Sequence, residues 1–598
     1  MIFIEAENFD HLGGWVVDQQ FMNQMGSPFL MAHGLGNPVA DASTRFEVER
    51  TGIYHVWART RDWAAPWKKP EQIATGKEED CPGRFQVIIN GEALQTVFGT
   101  EGAAWHWQYG GEIHLPTGSN HMALHDLTGF NGRCDAIFLS TERNVQLPDG
   151  GPELLAFRRK LTGNDGVPRL AGQFDLVVAG GGIAGICAAV SAARLGLRVA
   201  LIHNRPVVGG NNSSEVRVQL GGKVNLPPYP QIGNIVNELD ARQGQNARPG
   251  EEYKDYLKMG LVENQPGLSL FLNTQVVDCE VVSGEIKQVE TQHVLTGERL
   301  VFQSNLFADC TGDANLGYLA GANYRMGRES RAETGESIAP EEADMMTMGS
   351  SVMWYSVEKE DETFTFPETS WAIQFDDLTC QKARKGDWDW ETGLGRDQIE
   401  EFEFIRDYGL RAVFGNWSYL KNKSRLKDDF KNRRLEWVAY IAGKRESRRL
   451  MGDVVLQQQD IDNRTHFPDA AVTTTWSIDL HHPKIIPNFQ EEPFRARCVK
   501  TKIEPYAIPY RSLYSRNIAN LFMAGRNISV THVALGTVRV MRTTGMMGEV
   551  VGMAASVCIK NKATPREVYE KHLEELIDLF KKGVPSMYSE ISESTKTI

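Results

Sequence analysis

Three glycines, Gly180, Gly182 and Gly185, are spaced as Gly-x-Gly-x-x-Gly between the apolar run Leu176–Ala179 and an Ala-rich helical pattern. Gly180 permits a tight turn, Gly182 leaves room for a pyrophosphate against bare backbone, and Gly185 lets helix and strand pack closely. The start of the helix adds free N–H groups and partial positive charge. Because a second apolar run, Val199–Ile202, follows, the sequence predicts a dinucleotide-binding βαβ unit.

Histidines in two later segments could carry acid–base chemistry. His481 and His482 lie in a run that also holds Trp476 and Asp479, and His532 lies in a second run closer to the C-terminus. Oxidation of an alcohol needs a base for the hydroxyl proton, and a neutral histidine suits that role near neutral pH. The three histidines are therefore candidate catalytic bases. The alternative for each is a histidine that ties a loop to the backbone.

Arginines are concentrated in the segment 443–453. Arg448 and Arg449, with Arg445 beside them, could bind an acidic group of a substrate, and Trp476 could contact the same molecule. The alternative is that these arginines neutralise the two acidic residues of their own segment. If these histidines and arginines act on a substrate, they must lie in a cap that holds them over a cofactor-binding domain.

Further segments match the needs of one nucleotide cofactor. Gly209 and Gly210 follow the second strand, with Ser213 close behind. Three later segments show strand–turn or strand–loop–helix patterns: residues 270–278, 306–321 and 520–541. In this order the segments resemble the bacterial FAD-dependent oxidoreductase family of the glutathione-reductase fold, which is distantly similar to succinate dehydrogenases and fumarate reductases. The resemblance implies that FAD is the cofactor.

The same resemblance implies which residues hold the FAD. In such proteins the Gly-Gly loop runs beside the pyrophosphate, a later strand passes under the adenine, and a C-terminal loop brings backbone N–H groups to the isoalloxazine ring. Besides the three glycines of the first motif, the implied cofactor-binding positions are His203, Asn204, Gly209, Gly210, Ser213, Val277, Thr311, Gly312, Asp313, Gly525, Arg526, Gly536 and Thr537.

The end of the second strand departs from the family pattern. A Glu or Asp is expected there to hold the adenosine ribose, but this chain has His203 and Asn204. Either side chain can still hydrogen-bond a hydroxyl. Arg205 would suit the 2′-phosphate of NADP, but the Gly-Gly loop and the C-terminal segment have no role in that interpretation. Because no second Gly-x-Gly-x-x-Gly follows on a comparable unit, we expect an external electron acceptor or donor.

Residues 1–145 differ in pattern from the rest of the chain. Short runs such as Gly52–Arg59 are separated by turn formers, and Asn90-Gly91 is a strong hairpin signal. Together with Glu5-Ala-Glu7 at the start, these runs resemble jelly-roll carbohydrate-binding modules. Similar modules hold a structural calcium ion at such a start, but two carboxylates are too few to establish a site, so we expect Glu5 and Glu7 to be solvated.

Aromatic side chains of this front module have two interpretations. They could stack on sugar rings, or they could fill the core and pack against the next domain, which is the interpretation we favour. The residues concerned are Trp63, Trp67, Trp105, Trp107 and Tyr109.

The composition limits the partners. The 598 residues carry a formal net charge of −13 and show no long basic stripe, which argues against nucleic acid and favours a small-molecule substrate. No apolar run approaches the roughly 18–20 residues of a membrane span. The acidic N-terminus is unlike a signal peptide, so we expect a cytoplasmic protein, or a periplasmic one if a leader has been removed. The eight cysteines show no metal-like spacing, so no metal is expected.

Together these patterns predict an α/β FAD/NAD(P)-binding domain, Rossmann-like and of the glutathione-reductase type, with an inserted α+β cap and a preceding all-β jelly-roll sandwich. The expected limits are 1–145 for the β-sandwich, 146–171 for a linker, 172–330 and 506–598 for the two parts of the FAD-binding domain, and 331–505 for the cap.

The expected function is hydride transfer between flavin N5 and a small polar organic substrate. A carbohydrate or glycoside is suggested by the front module alone, which is an analogy at the level of the fold. Two alternatives remain open. One is a flavin-dependent reductase of an activated C=C bond in an unsaturated acid. The other is a non-catalytic carbohydrate-binding protein with a vestigial flavin fold.

Overall fold

A computed structural model describes residues 1–75 and 77–585 of the chain. Within these residues no helix is long and apolar enough to cross a membrane. The front region is built almost entirely of antiparallel strands. Its elements are β1 (Ile2–Glu5), β2 (Val16–Asp18), α1 (Met22–Met25), β3 (Phe29–Ala32), β4 (Ala42–Val48), β5 (Gly52–Thr60), α2 (Pro70–Thr75), β6 (Phe85–Ile89), β7 (Glu92–Ala93), β8 (His106–Leu115), β9 (Gly118–Asp126), β10 (Gly132–Cys134) and β11 (Ala136–Ser140).

Two four-stranded sheets, β1-β11-β5-β8 and β4-β9-β6-β7, enclose the core of this front module, and β10-β3-β2 forms a third, smaller sheet. The alternation in β4 explains why it lies in a sandwich, since every second side chain is buried. Asn90 and Gly91 both have positive φ, 52° and 84°, and connect β6 to β7. The hairpin signal is therefore confirmed.

The aromatic side chains of the front module are used for packing. The rings of Trp63 and Trp67 lie 5.2 and 4.4 Å from aromatic rings of the cap region. Trp105 donates its Nε1–H to Glu403 (3.1 Å), and Trp107 donates to a backbone carbonyl (3.0 Å). These contacts support packing over sugar stacking for these four residues.

Buried ion pairs fix the front module to the cap region. Arg133 pairs with Glu403 and Asp407 (both 2.6 Å), and Arg406 pairs with Asp18 (2.7 Å). Both arginine side chains are fully buried, so each charge depends on its partners for compensation. The sandwich is thus held rigidly against the rest of the molecule.

The expectation that Glu5 and Glu7 are solvated is wrong. The predicted linker contains a helix, α3 (Gly151–Thr162), and Arg158 of this helix pairs with both Glu5 and Asp135. Glu5 and Glu7 are both buried, because the guanidinium supplies the positive charge that lets carboxylates leave water. Burial nevertheless raises the pKa of Glu5 to about 7.

An α/β region follows α3. Its seven-stranded mixed sheet has the order β14-β13-β12-β17-β16-β15, with a strand from the C-terminal part, Leu521–Met523, pairing with β17. The first-part elements are β12 (Arg169–Ala179), α4 (Ile183–Arg194), β13 (Val199–Ile202), α5 (Asn234–Leu239), α6 (Asp255–Glu263), β14 (Leu268–Phe271), β15 (Thr274–Val282), β16 (Glu285–His293), β17 (Arg299–Asp309) and α7 (Asn315–Leu319).

The region that follows forms a cap of short strands and one long buried helix, α9, whose core is shared with the front module. Its elements are β18 (Tyr324–Arg325), α8 (Arg331–Thr334), β19 (Ser350–Ser351), β20 (Trp354–Glu358), β21 (Lys385–Gly386), β22 (Glu391–Thr392), α9 (Phe402–Asn422), α10 (Lys427–Phe430), β23 (Arg433–Val438), β24 (Gly443–Lys444), β25 (Arg449–Leu450), α11 (Gln458–Asp462), β26 (Ala470–Thr474), β27 (Ile478–Pro483), β28 (Ala496–Thr501) and β29 (Tyr506–Pro509).

The C-terminal part returns to the mixed sheet and then packs a long helix on α4. A Cβ on Gly548 would lie 2.1 Å from the carbonyl oxygen of Ala184, so glycine permits this close approach. The helix after Thr564 ends at Lys571, and a second one begins at Leu573. The elements are β30 (Leu521–Met523), α12 (His532–Val538), α13 (Met541–Asn561), α14 (Pro565–Lys571) and α15 (Leu573–Lys582).

Candidate functional site

A cavity of about 420 Å³ lies at the carboxyl ends of β12 and β13, between the sheet, the cap and α1. The first glycine motif forms one wall. A Cβ would lie 2.4 Å from the Cys310 carbonyl oxygen if placed on Gly180, and 1.8 Å from the Gly180 carbonyl oxygen if placed on Gly185. A Cβ on Gly182 would meet no atom within 4 Å. The turn and the helix packing thus require Gly180 and Gly185, whereas the space beside Gly182 belongs to the cavity.

The Gly-Gly loop lies against this motif. The Gly209 N–H donates to the Gly181 carbonyl (2.8 Å), and a Cβ on Gly210 would lie 3.2 Å from the Gly182 Cα. Gly209 and Gly210 both line the cavity. Ser213 lies behind them, because its hydroxyl donates to the Gly210 carbonyl (2.7 Å), and it holds the loop rather than facing the cavity.

His203 connects the two glycine loops. Its Nδ1 accepts the Gly181 N–H (3.0 Å), and its Nε2–H donates to the Val207 carbonyl (3.0 Å). Burial, helped by the charge of Arg205, lowers the pKa of His203 to about 3, so the ring is neutral. Both ring nitrogens are already used, and the side chain offers no free nitrogen to a ribose. Asn204 beside it lines the cavity.

Asp313 is one of two acidic side chains on the cavity wall. It accepts hydrogen bonds from Lys444 (2.9 Å), Ser447 (2.7 Å) and Arg526 (2.9 Å). Burial opposes its ionisation, but Lys444 and Arg526 hold the pKa of Asp313 well below its usual range. Gly312 lies against the Arg526 guanidinium, since a Cβ on Gly312 would lie 2.5 Å from an Arg526 terminal nitrogen. Asp313 is therefore ionised and rigidly held.

The remaining implied cofactor positions divide into two groups. Thr311 and Gly525 line the cavity, and on β15 it is Val276 rather than Val277 that does so. Gly536 and Thr537 lie in α12, which packs on β27, where a Cβ on Gly536 would be 2.8 Å from the Asp479 nitrogen. After Gly525 and Arg526, the chain returns to the cavity only once α12 has ended, through Arg539, Val540, Met541 and Thr544.

The hairpin of β27 and β28 forms the opposite wall. Side chains alternate between the two faces of a strand, so Asp479 and His481 line the cavity and His482 does not. Across the hairpin, Cys498 pairs with His481 and Lys500 with Asp479, and both partners also line the cavity. Strand pairing thus brings four ionisable groups to one surface.

His481 is the candidate base that the structure places in the cavity. Its Nδ1 lies 2.6 Å from Glu391 Oε2, and its Nε2 lies 3.1 Å from an Arg539 nitrogen. Because a guanidinium only donates, we assign Nε2 as the acceptor and place the proton on Nδ1, facing Glu391. Burial opposes ionisation of Glu391, but Arg445 and His481 lower the pKa of that carboxyl to about 2. The imidazole is thus held between a buried carboxylate and a guanidinium.

Asp479 connects the other groups of this wall. It accepts the Cys498 thiol and the Trp476 Nε1–H (3.3 Å), and Arg539 lies 3.4 Å from it. Burial and the Asp479 charge raise the pKa of Cys498 to about 12. One donor atom from each of Asp479, His481 and Cys498 could reach a common metal ion, all within 4.8 Å of one another. Arg539 opposes a cation here, since it takes the His481 Nε2 lone pair.

Three other candidates lie away from the cavity. His532 bonds Glu446 through Nδ1 (2.9 Å), and Arg449 is buried against the same carboxylate. Arg448 lies 3.9 Å over the ring of Tyr318. These side chains join the cap to α7 and to the start of α12, which is the structural alternative for each. Of the arginines in segment 443–453, it is Arg445 that reaches the cavity.

Positive charge is concentrated on the cavity wall although the whole chain carries −13. Among the described residues that form the wall, two are acidic, Asp313 and Asp479. Six are basic: Arg205, Lys444, Arg445, Lys500, Arg526 and Arg539. A wall of this charge favours anionic ligands.

A glycine-rich βαβ unit on a mixed sheet, with a cap over the cavity at its carboxyl edge, is the architecture of a dinucleotide-binding protein. The model of the FAD dependent oxidoreductase family matches residues 175–577, more than half of the chain. The protein belongs to this family, and its cofactor is FAD. The family favours an enzyme over the non-catalytic alternative.

Three solved structures are similar to parts of this chain at low identity and low TM-score. A geranylgeranyl bacteriochlorophyll reductase-like protein from Thermoplasma acidophilum is 12% identical, with a TM-score of 0.31, covering 69% of this chain and 83% of its own. The myxobacterial chondrochloren halogenase CndH is 13% identical, with a TM-score of 0.32, covering 67% and 78%. A family 35 carbohydrate binding module from an environmental isolate is 16% identical, with a TM-score of 0.17, covering 24% and 94%.

Proposed function

We propose that the cavity holds FAD with its pyrophosphate at the two glycine loops and its ring system toward β27. The open space beside Gly182 and the start of α4, whose first N–H groups have no partner within the helix, support this placement. Asn315 Oδ1 and Arg526 Nε are buried on the same wall without a hydrogen-bond partner among the described residues, as expected of groups that face a polar ligand. Bound FAD supplies two-electron exchange with a substrate.

The reaction we propose is oxidation of a small, polar, negatively charged molecule at a carbon that bears a hydroxyl. The observation that carries this proposal is His481, which lines the cavity with its Nδ1 held by Glu391 and its Nε2 bonded to Arg539. A substrate hydroxyl that displaces the Arg539 N–H from Nε2 would give its proton to Nε2 while Arg539 donates to the hydroxyl oxygen. Glu391 then stabilises the imidazolium that forms, as a buried carboxylate does for a general base.

The substrate class follows from the charge of this wall. Arg445, Lys500 and Arg539 surround His481 and Asp479, so a carboxylate on the substrate would be attracted and oriented. Trp388 and Trp476, both half-buried, supply apolar surface beside these charges. We do not propose a sugar as the substrate, because the tryptophans of the front module pack against the protein. The electrons leave to an external acceptor.

Anaerobic mixing of the FAD-loaded protein with single compounds tests the proposal. We expect 2-hydroxy acids to bleach the visible flavin absorption and the matching neutral alcohols and glycosides to leave it unchanged. His481→Gln should keep its FAD and lose the bleaching. Bleaching by neutral sugars alone, or full bleaching of the His481→Gln variant, would show that the proposed substrate class or base is wrong.

A second function has one specific observation in its favour. Burial lowers the pKa of Arg539, which lines the cavity between His481 and Asp479. An arginine that gives up its proton more readily could serve as the donor in reduction of the C=C bond of an unsaturated acid. Protein reduced with dithionite and mixed with unsaturated acids separates the two functions, because only a reductase would be reoxidised.

A further inference from the structure

We propose that the segment Gln19–Gln24 of the front module is part of the FAD-binding site. This inference rests on the proposed position of FAD. All six residues of the segment line the cavity, across from the glycine loops. They form the loop after β2 and the first three residues of α1. They therefore belong to the front module and not to the family-matched region, which begins at residue 175.

The segment is held between the cap and the sheet. Gln20 donates to the Tyr440 carbonyl (2.9 Å) and accepts the Ala442 N–H (3.1 Å). On the other side, the Gln275 Nε2–H donates to Asn23 Oδ1 (3.2 Å). Gln275 lies on β15, beside Val276, which also lines the cavity. The loop thus has a defined position against both walls.

One side chain of the segment lacks a partner. Gln19 is 4% exposed and lines the cavity, and its side-chain amide makes no hydrogen bond to any residue that the structure describes. The amide is open to the cavity rather than enclosed by protein atoms, so a polar ligand in the cavity can hydrogen-bond it.

The end of β13 explains why the cofactor needs polar groups from outside the sheet. The dinucleotide ribose usually bonds a carboxylate at this point, but both nitrogens of His203 are used by backbone groups. Asn23 accepts a hydrogen bond from Gln275 of β15, and the neighbouring Thr274 N–H donates to the His203 carbonyl (2.9 Å). We therefore assign Asn23 to the adenosine half of the cofactor. Gln19 is assigned to the cofactor as a whole, not to one of its halves.

Binding of FAD to the full-length apoprotein, followed by quenching of flavin fluorescence, tests the assignment. Loss of one amide hydrogen bond predicts that Gln19→Ala and Asn23→Ala each raise the Kd for FAD roughly threefold to tenfold. Gln19→Met keeps the side-chain volume and should show the same loss. Gln95→Ala, an exposed position of the same module, is the matched control and should leave the Kd unchanged. Because FMN lacks the adenosine half, Asn23→Ala should not change the Kd for FMN.

Two outcomes would overturn the inference. One is a wild-type Kd for FAD in both Gln19→Met and Asn23→Ala. The other is an equal loss in Gln95→Ala, which would indicate a general weakening of the module. Neither outcome involves a substrate, so the assignment can fail while the proposed oxidation stands. Conversely, apoprotein that binds FAD through these residues but is never bleached would leave the inference intact.

Discussion

Replacement of His203 with Asn should make the stability of the protein less sensitive to acid. In the wild type, the neutral Nδ1 accepts the Gly181 N–H and Nε2–H donates to Val207. A proton added to Nδ1 would face the Gly181 N–H and separate the two glycine loops. Asn can place its Oδ1 near the position of Nδ1 and keep that hydrogen bond, but it does not titrate.

The magnitude follows from the pKa of His203, which is about 3 in the fold against an ordinary 6.5. Because the unfolded state binds the proton first, this group's contribution to stability is fully present above pH 6.5 and is lost as the pH falls toward 3. Between pH 7 and pH 5 the loss is about 2 kcal/mol. At pH 7 the variant itself should be less stable by about 1 kcal/mol, since the bond to Val207 is gone.

The assay is urea unfolding of both apoproteins at pH 7, 6 and 5, followed by tryptophan fluorescence. The difference in free energy of unfolding between wild type and variant cancels the titration of the other groups. We expect this difference to change by about 2 kcal/mol in favour of His203→Asn as the pH falls from 7 to 5. A pH-independent difference would refute the assignment of His203 as a buried neutral residue.

Three further outcomes are expected. His481→Gln should lower the rate of substrate oxidation by about 10²- to 10⁴-fold at unchanged FAD content, measured by stopped-flow absorbance; a tenfold effect or less would exclude a general base. Gly182→Ala should fold normally and bind FAD more weakly in fluorescence titration. Gly185→Ala should fail to yield folded protein, because its Cβ would lie 1.8 Å from a carbonyl oxygen. Equal behaviour of the two variants would contradict the cavity assignment. Arg133→Met leaves Glu403 with Arg61 and Asp407 with Arg406 as the remaining cationic partners, so it should destabilise by about 3 kcal/mol, the lower end for a broken buried pair, in denaturant unfolding. The exposed Arg45→Met should change little, and equal effects would refute the buried network.

The sequence by itself determined the parts of this protein that depend on local backbone demands. Gly180, Gly182 and Gly185 could be assigned separate roles because each lacks a Cβ for a different reason, and the structure shows the same three environments. The Asn90-Gly91 turn likewise follows from short-range geometry. Period and turn chemistry are readable within a few residues.

Only the tertiary structure decided which side chains meet. His481, His482 and His532 were equivalent as sequence, but strand alternation and the pairing of β27 with β28 place His481 alone of the three in the cavity. Its partners Glu391 and Arg539 are 90 and 58 residues away along the chain. The front-module segment Gln19–Gln24 lines the same cavity although it lies near the N-terminus of the chain. Such contacts depend on how whole elements pack, and no local pattern encodes that packing.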